Sequence, residues 1–361
     1  MEKEKNIRFD KHNSQAIKGI AIMMMLLHHM YLSRERFEGY KVSFAPFADG
    51  TIIYLSSFFK ICVPIYVFIS GYGLYLSYKK SNSTPCQWTA KRLIKTMSGF
   101  WIIWLLAAVI FQVMFGYVSK VYFTSESSIR NLASMGIDFL GLAKLFGTAT
   151  MNGTWWYMSA AIIFIICVPL FMKNEDSLIL ILCMVAAIPH MLELEVMGKS
   201  EIYAFLPAFL MGMCVAKYDL YDRWFQIWNK SIKRIVKFLV ELIVLYILYK
   251  AYGKLPGSVY NEIRWGLIPV VLIAFCCEFI IVIPGIRQIL LFLGKHSMNI
   301  FLIHTFIRQY FWKDYAYSSG HFLINILAVI LPSIVISIVL EWLKKVTGYN
   351  RLVQNICTKI G

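Results

Sequence analysis

The sequence predicts an all-α polytopic membrane protein of about ten transmembrane helices, with both termini cytosolic. Three observations carry that reading. Of 361 residues, 59% are hydrophobic and only 16% charged, whereas a soluble domain carries about 25% charged residues. The apolar residues gather into runs of roughly 17–25, the length a helix needs to cross a bilayer. The basic residues sit mainly in the short segments between those runs, and unequally on alternate sides, as orientation signals do.

Taken in order, the spans are Gln15–Tyr31, Ile52–Ser77, Met97–Tyr117, Thr154–Met172, Leu178–Leu192, Glu201–Ala216, Ile235–Ala251, Trp265–Ile283, Ile289–Phe306 and His321–Leu343. The sixth is short and holds Pro207, so it reads as broken or tilted. The count turns on whether the fifth and sixth both cross fully. With the N-terminus inside, inner segments carry twenty basic residues. The outer ones carry ten: Arg34, Arg36, Lys41, Lys120, Arg130, Lys144, Lys199, Lys254, Arg264 and Lys313. That bias favours an even number of crossings.

The chain reads as a single integral-membrane domain, 1–361, with short tails at about 1–14 and 344–361. The longest connection is the outer segment Val118–Gly153, within which Ile137–Phe146 is amphipathic enough to lie on the membrane. Trp155, Trp156 and Tyr157 stand where a span enters the bilayer, a position aromatic rings favour. Met1–Lys11 is charged but leads to no clear small-residue cleavage site, so the first span reads as a permanent anchor.

The net charge of +16 does not point to nucleic acid, because no basic stripe with a reading motif is present. The eight cysteines lie in apolar runs or inner segments, with no Cys-x-x-Cys. They therefore predict neither a disulfide scaffold nor a metal site.

Ionisable groups inside spans are rare and tend to be functional. Lys18 and His29 are eleven residues apart in the first span, which on a helix puts them ~20° apart on one face and ~16 Å apart along the axis. The neighbouring His28 points ~100° away. A neutral imidazole suits general-base work near neutral pH. The plainer reading is a pair of buried rings donating to backbone carbonyls.

Other polar positions carry their own plain readings. Lys60 should lie at a depth comparable with His29, either snorkelling outward or pairing with an acid. Glu278 is also within a span, and Glu241 follows Lys237 by four residues, the spacing of a helical salt bridge. Ser70 precedes Gly71, a pairing more typical of close helix packing than of a nucleophile. Lys91, Arg92 and Lys95 before the third span would hold topology and attract anionic headgroups. His304 reads as a structural hydrogen bonder.

Lys18-Gly19-Ile20-Ala21 and the apolar run to His29 resemble the first span of the acyltransferase-3 family of bacterial integral-membrane O-acyltransferases, where an arginine, ten further residues and then a histidine are usual. Here Lys18 takes the arginine's place and lacks its bidentate fork. Val63-Pro64-Ile65-Tyr66-Val67-Phe68-Ile69-Ser70-Gly71-Tyr72 resembles the family's second-span motif, in the branch with proline rather than an acid. Arg92-Leu93-Ile94-Lys95 resembles its Arg-x-x-Arg, again with a lysine. Thr154-Trp155-Trp156-Tyr157-Met158-Ser159, and Gly294-Lys295-His296-Ser297 leading to Phe301-Leu302-Ile303-His304, are similar to its later motifs. Together they cover almost the whole chain.

The resemblance implies transfer of an acyl group, acetyl first among them, from cytosolic acyl-coenzyme A to a hydroxyl of a cell-envelope glycan or related acceptor. The setting would be the bacterial cytoplasmic membrane. It implies His29 as catalytic base or acyl carrier, and Lys18, Arg92 and Lys95 as the groups binding the donor, with His28, Lys60, Ser70 and His304 as accessory candidates. No metal and no nucleic acid are expected. Two other classes stay open. One is an exporter or flippase for a polysaccharide or lipid-linked sugar, using His28, His29, Lys60 and Glu278 as a polar pathway. It is weakened by the lack of an internal repeat. The other is an adaptor subunit of a synthase complex.

Overall fold

The computed structural model describes residues 7–191, 204–227, 231–250 and 266–360. Described residues are helical wherever regular structure occurs, apart from a single isolated bridge between Ser43 and His321. The helices are α1 (Lys11–Tyr31), α2 (Asp49–Phe58), α3 (Cys62–Lys79), α4 (Pro85–Phe115), α5 (Tyr117–Tyr122), α6 (Ser128–Phe139), α7 (Ala143–Phe146), α8 (Trp156–Lys173) and α9 (Leu178–Met191). There follow α10 (Leu206–Lys217), α11 (Leu220–Gln226), α12 (Ser231–Lys250), α13 (Ile268–Phe275), α14 (Pro284–Thr305), α15 (Lys313–Tyr317), α16 (Phe322–Val346) and α17 (Tyr349–Lys359).

Each of the ten apolar segments contains helix, and five helical stretches among the described residues are long and apolar enough to cross a membrane: Asp49–Lys79, Pro85–Phe115, Gly153–Lys173, Pro284–Tyr310 and Phe322–Val346. α1 and α12 have the length, but Lys18, His28 and His29 in one, and Lys233, Arg234, Lys237 and Glu241 in the other, lower their hydropathy. α10 and Ile268–Ile280 are shorter apolar helices. Leu192, Glu201, Ala251 and Trp265, where four expected spans begin or end, lie outside the described residues, as do Lys199, Lys230, Lys254 and Arg264. Arg308, two residues beyond the ninth span, was missing from the outer tally and raises it to eleven, which leaves the inward bias in place.

Two expected boundaries move. The third span begins twelve residues earlier than Met97, because Thr84 and Gln87 form a reciprocal capping box with Pro85 in the first turn. It stops at Phe115 because Gly116 takes a left-handed conformation, φ 60°. The amphipathic segment also shifts, from Ile137–Phe146 to α6 and a separate short α7, divided at Gly141 with φ +74°. α6 turns Asn131 and Asp138 inward and Ile129 and Leu132 outward.

The described chain divides into two compact units: Met1–Ser33, Gly50–Lys80 and Leu170–Ser297 in one; Arg34–Asp49, Ser81–Pro169 and Met298–Gly361 in the other. In the first, helix pairs meet backbone to backbone at glycines. α1 crosses the first half of α14 where a Cβ on Gly19 would stand 2.1 Å from the Leu290 carbonyl oxygen, and one on Gly294 would stand 1.8 Å from that of Gln15. Gln15 Nε2 donates to the Leu291 carbonyl at 2.8 Å across the same crossing. α3 meets α10 likewise, through Gly71 against Phe209 and Gly212 against Phe68. Small residues that let backbones touch are the usual means of packing helices where water supplies no driving force.

α12 is built inside out. Lys237 and Glu241 are buried, while Ile235, Leu239, Ile243, Tyr246 and Ile247 are exposed. In water this arrangement would be costly; against hydrocarbon it is the favoured one. Lys237 does not make the expected i,i+4 pair with Glu241. Its Nζ lies 2.5 Å from Glu278 Oε1 and donates to the Trp224 carbonyl at 2.7 Å. Glu241 Oε1 accepts from Trp224 Nε1 at 2.7 Å instead. The π-helical turn Cys276–Ile280 carries Glu278 among the buried residues.

In the second unit α4 is the spine. At its C-terminal end Phe111 and Phe115 stack on Phe311, with ring centroids 4.2 and 4.4 Å apart. Near its middle Tyr349 OH donates to the Ser98 carbonyl at 2.8 Å, and Cys357 Sγ reaches the Lys91 carbonyl at 4.0 Å, which seats α17 along its N-terminal half.

Candidate active site

α1 owes its start to Asp10, whose carboxylate accepts from Asn13 N at 2.8 Å, and it runs unbroken from Lys11 to Tyr31. Lys18 and His29 therefore occupy one continuous helix, the condition on which their shared face and ~16 Å rise depend. Both side chains are half-buried, whereas His28 is buried.

α1 lies antiparallel to the broken helix α2–α3. His28 Nδ1 is 2.9 Å from the Ser56 carbonyl oxygen, and Tyr66 OH donates to the Lys18 carbonyl at 3.0 Å. These two bonds fix the register. The first sets His28 as a ring held to a carbonyl, the plain role expected of both rings. The His28 and His29 rings meet edge to face with centroids 5.3 Å apart.

The same register corrects Lys60. It sits in the 3-10 turn Phe59–Ile61 between α2 and α3, one turn beyond Ser56. That places it level with Met24, ~7 Å nearer the Lys18 end than His29. Ser70 Oγ donates to the Tyr66 carbonyl of its own helix at 2.8 Å, next to the close contact at Gly71.

In the second unit, Arg92 and Lys95 stand on the opening turns of α4 rather than in a loop. α4 has 31 residues, ~46 Å of helix against a hydrocarbon core of ~30 Å, so its first turns have length to spare beyond the bilayer. Arg92 is half-buried with its guanidinium 5.7 Å from the Trp88 ring centroid, and Lys95 is exposed. Lys91 Nζ donates to Ser83 Oγ at 3.2 Å. Lys91, Arg92 and Lys95 thus make one cationic face of the helix.

His304 is fully buried in α14. Its Nδ1 is 2.9 Å from the Phe301 carbonyl and 3.1 Å from that of Ile300, and Thr305 Oγ1 is 3.2 Å from Nε2. Nδ1 therefore donates to a carbonyl, while Nε2 faces the Thr305 hydroxyl.

Sequence reasoning passed over Asp138. It is buried and accepts from Trp104 Nε1 at 3.0 Å, Tyr122 OH at 2.5 Å and Met151 N at 3.3 Å, holding α4, α5 and the entry to α8 together. Burial pushes its carboxyl above the ordinary value. An aspartate in an amphipathic outer segment reads as a solvated charge, so nothing in the pattern could have singled it out. No group of three or more His, Cys, Asp or Glu side chains among the described residues could hold a metal ion.

Compared with known proteins, the chain matches the family Acyl_transf_3, described as an acyltransferase domain, over residues 12–342. No curated protein and no solved structure matches it.

Proposed function

The chain belongs to the acyltransferase-3 family, and from that premise we propose a multi-pass O-acyltransferase of the bacterial cytoplasmic membrane. Its reaction carries an acetyl group from cytosolic acetyl-coenzyme A to a hydroxyl of a cell-envelope glycan or related acceptor. Ten crossings, with both termini cytosolic, would bring donor and acceptor to opposite faces.

One observation carries the reading: Lys18 and His29 share a face of one uninterrupted helix. The ~16 Å between them suits an extended pantetheine arm, with anionic groups near the lysine and the thioester near the imidazole. His29 takes the acceptor hydroxyl proton, the oxygen attacks the thioester carbonyl, the carbon–sulfur bond breaks, and the departing thiolate takes the proton back from the imidazolium. His28, held by its bond to Ser56, is a positioning residue for the ring beside it. Arg92 and Lys95 are assigned to the donor's phosphates on their Arg-x-x-Lys resemblance and on charge. Lys60 is given the region between Lys18 and His29, where it would favour a developing negative charge.

The exporter reading has less support. The family is one of acyltransferases, and Glu278 is tied to Lys237 instead of standing free for a relay.

The test is free-thiol release from acetyl-coenzyme A by the purified protein in lipid nanodiscs supplied with envelope extract. His29→Gln should lower the rate by ~10²–10⁴ while donor binding persists. Thiol release at the wild-type rate in folded His29→Gln would sink the mechanism. Movement of a glycan without consumption of acetyl-coenzyme A would restore the exporter.

A further inference from the structure

Arg308 lies in the π-helical turn Phe306–Tyr310 that follows α14, and it is only 3% exposed. Its surroundings do not balance its charge. The guanidinium donates to Gln309 Oε1 and bonds to the Tyr317 phenol, both neutral, and Nε has no partner. A second cation, Arg36, from the 3-10 turn Arg34–Phe37, also acts on it. Among the described residues no carboxylate pairs with either arginine. The nearby acid Asp314 is engaged by Tyr40 OH, and the Tyr40 ring stacks on Tyr317 at 5.3 Å.

A buried cation with only neutral acceptors and a like charge in range is expensive to keep. An anion between the two arginines would remove the cost, and a guanidinium fork fits the paired oxygens of a phosphate or carboxylate. Tyr317 adds a third polar group; burial pushes its phenol up while both arginines pull it down.

All these residues lie within the second unit, far from its other cationic end. Phe306, beside Arg308, packs on Phe111 with ring centroids 4.6 Å apart. Arg92 lies nineteen residues earlier on the same unbroken helix, ~28 Å away. A group seated at Arg308 is thus remote from Arg92 and Lys95.

We propose that Arg308 and Arg36, with Tyr317, form a second anion site that binds a phosphate or carboxylate group of the acceptor. This deepens the acyltransferase reading and rests on it: the acceptor would be an acidic glycan or a phosphate-bearing polymer rather than a neutral sugar. An anionic lipid headgroup offers the same chemistry and is separated by the test.

The experiment uses the full chain in phosphatidylcholine nanodiscs. Its unfolding midpoint is titrated with glycerol 3-phosphate and with glucuronate at constant ionic strength, for wild type, Arg308→Gln and Arg36→Gln, and acetyl-coenzyme A binding is measured on the same samples. The expected result is saturable stabilisation of wild type by at least one probe, lost in Arg308→Gln and weakened about tenfold in Arg36→Gln, with donor binding unchanged. Equal stabilisation of wild type and Arg308→Gln overturns the site, as does no stabilisation of wild type under any condition. Arginine-dependent stabilisation that appears only when phosphatidylglycerol replaces phosphatidylcholine overturns the acceptor assignment and makes the ligand a headgroup. Should Arg308→Gln fail to fold, Arg36→Gln and Arg308→Lys decide by the same criteria. Probe binding without any acetyl-coenzyme A binding or turnover would defeat the enzymatic reading and the acceptor assignment, while the anion site itself stood.

Discussion

The first unit buries Lys237 and the second buries Arg308, each to 3% exposure or less, yet the two are treated in opposite ways. Lys237 has Glu278 at 2.5 Å, a backbone carbonyl from Trp224, and the Trp224 ring centroid 4.8 Å below its ammonium. Arg308 has a phenol, an amide and another arginine. The first has its counter-charge within the protein, with the carboxyls of Glu278 and Glu241 bonded to each other beside it, so its purpose is internal: it ties α12 to the turn carrying Glu278. The second is left open, and an open positive account points outward, to something the protein takes up.

The comparison is best broken from the closed side. Glu278→Ala leaves Lys237 buried without its carboxylate and should cost ~3–5 kcal/mol, read as a large fall in the midpoint of thermal or denaturant unfolding. A change within error would mean that Lys237 reaches water or another acid, and the contrast with Arg308 would lose its basis. Replacing the whole cluster, Lys237→Met with Glu278→Met and Glu241→Gln, should be neutral or stabilising by ~1–4 kcal/mol. Strong destabilisation by the triple variant would instead give the cluster a role beyond packing.

A third, smaller effect uses the exposed pair of the first unit. Lys79 and the Tyr75 phenol both bond to Glu175 and hold its carboxyl below the ordinary value. A depressed carboxylate contributes stability that is present above its unfolded value, 4.5, and is lost as pH falls through the folded one. Wild type should therefore lose more stability than Glu175→Gln on acidification below that point. Because the Lys79 side chain is 56% exposed, the difference should be slight at physiological salt. Unfolding midpoints of the two proteins across that interval check it; parallel curves would remove the bonds to Glu175 as a source of stability.

What the sequence made legible followed from periodicity. The Lys18–His29 face needed only an unbroken helix, and the pairing of Ser70 with Gly71 announced a close approach that Phe209 supplies. What stayed hidden depended on distant partners. Spacing offered Glu241 to Lys237, but the acid it meets is 41 residues further along the chain. Arg308, directly after an apolar run, carries no signal in the sequence, and its burial shows only once the chain is folded. Arg92 and Lys95 read as a loop until Thr84 and Pro85 were seen to start the helix ahead of them.

The crossing of Gly19 and Gly294 leaves the polypeptides touching, so a side chain added at either glycine would tilt α1 away from its neighbour about that point. His29 is ten residues from that fulcrum, a lever arm of ~15 Å, over which a tilt of only ~4° swings the imidazole by ~1 Å. Displacements of that size are worth ~10²-fold in rate when reacting atoms must be aligned. Two hydrogen atoms, in place of methyl groups, thus set the aim of a side chain three turns away.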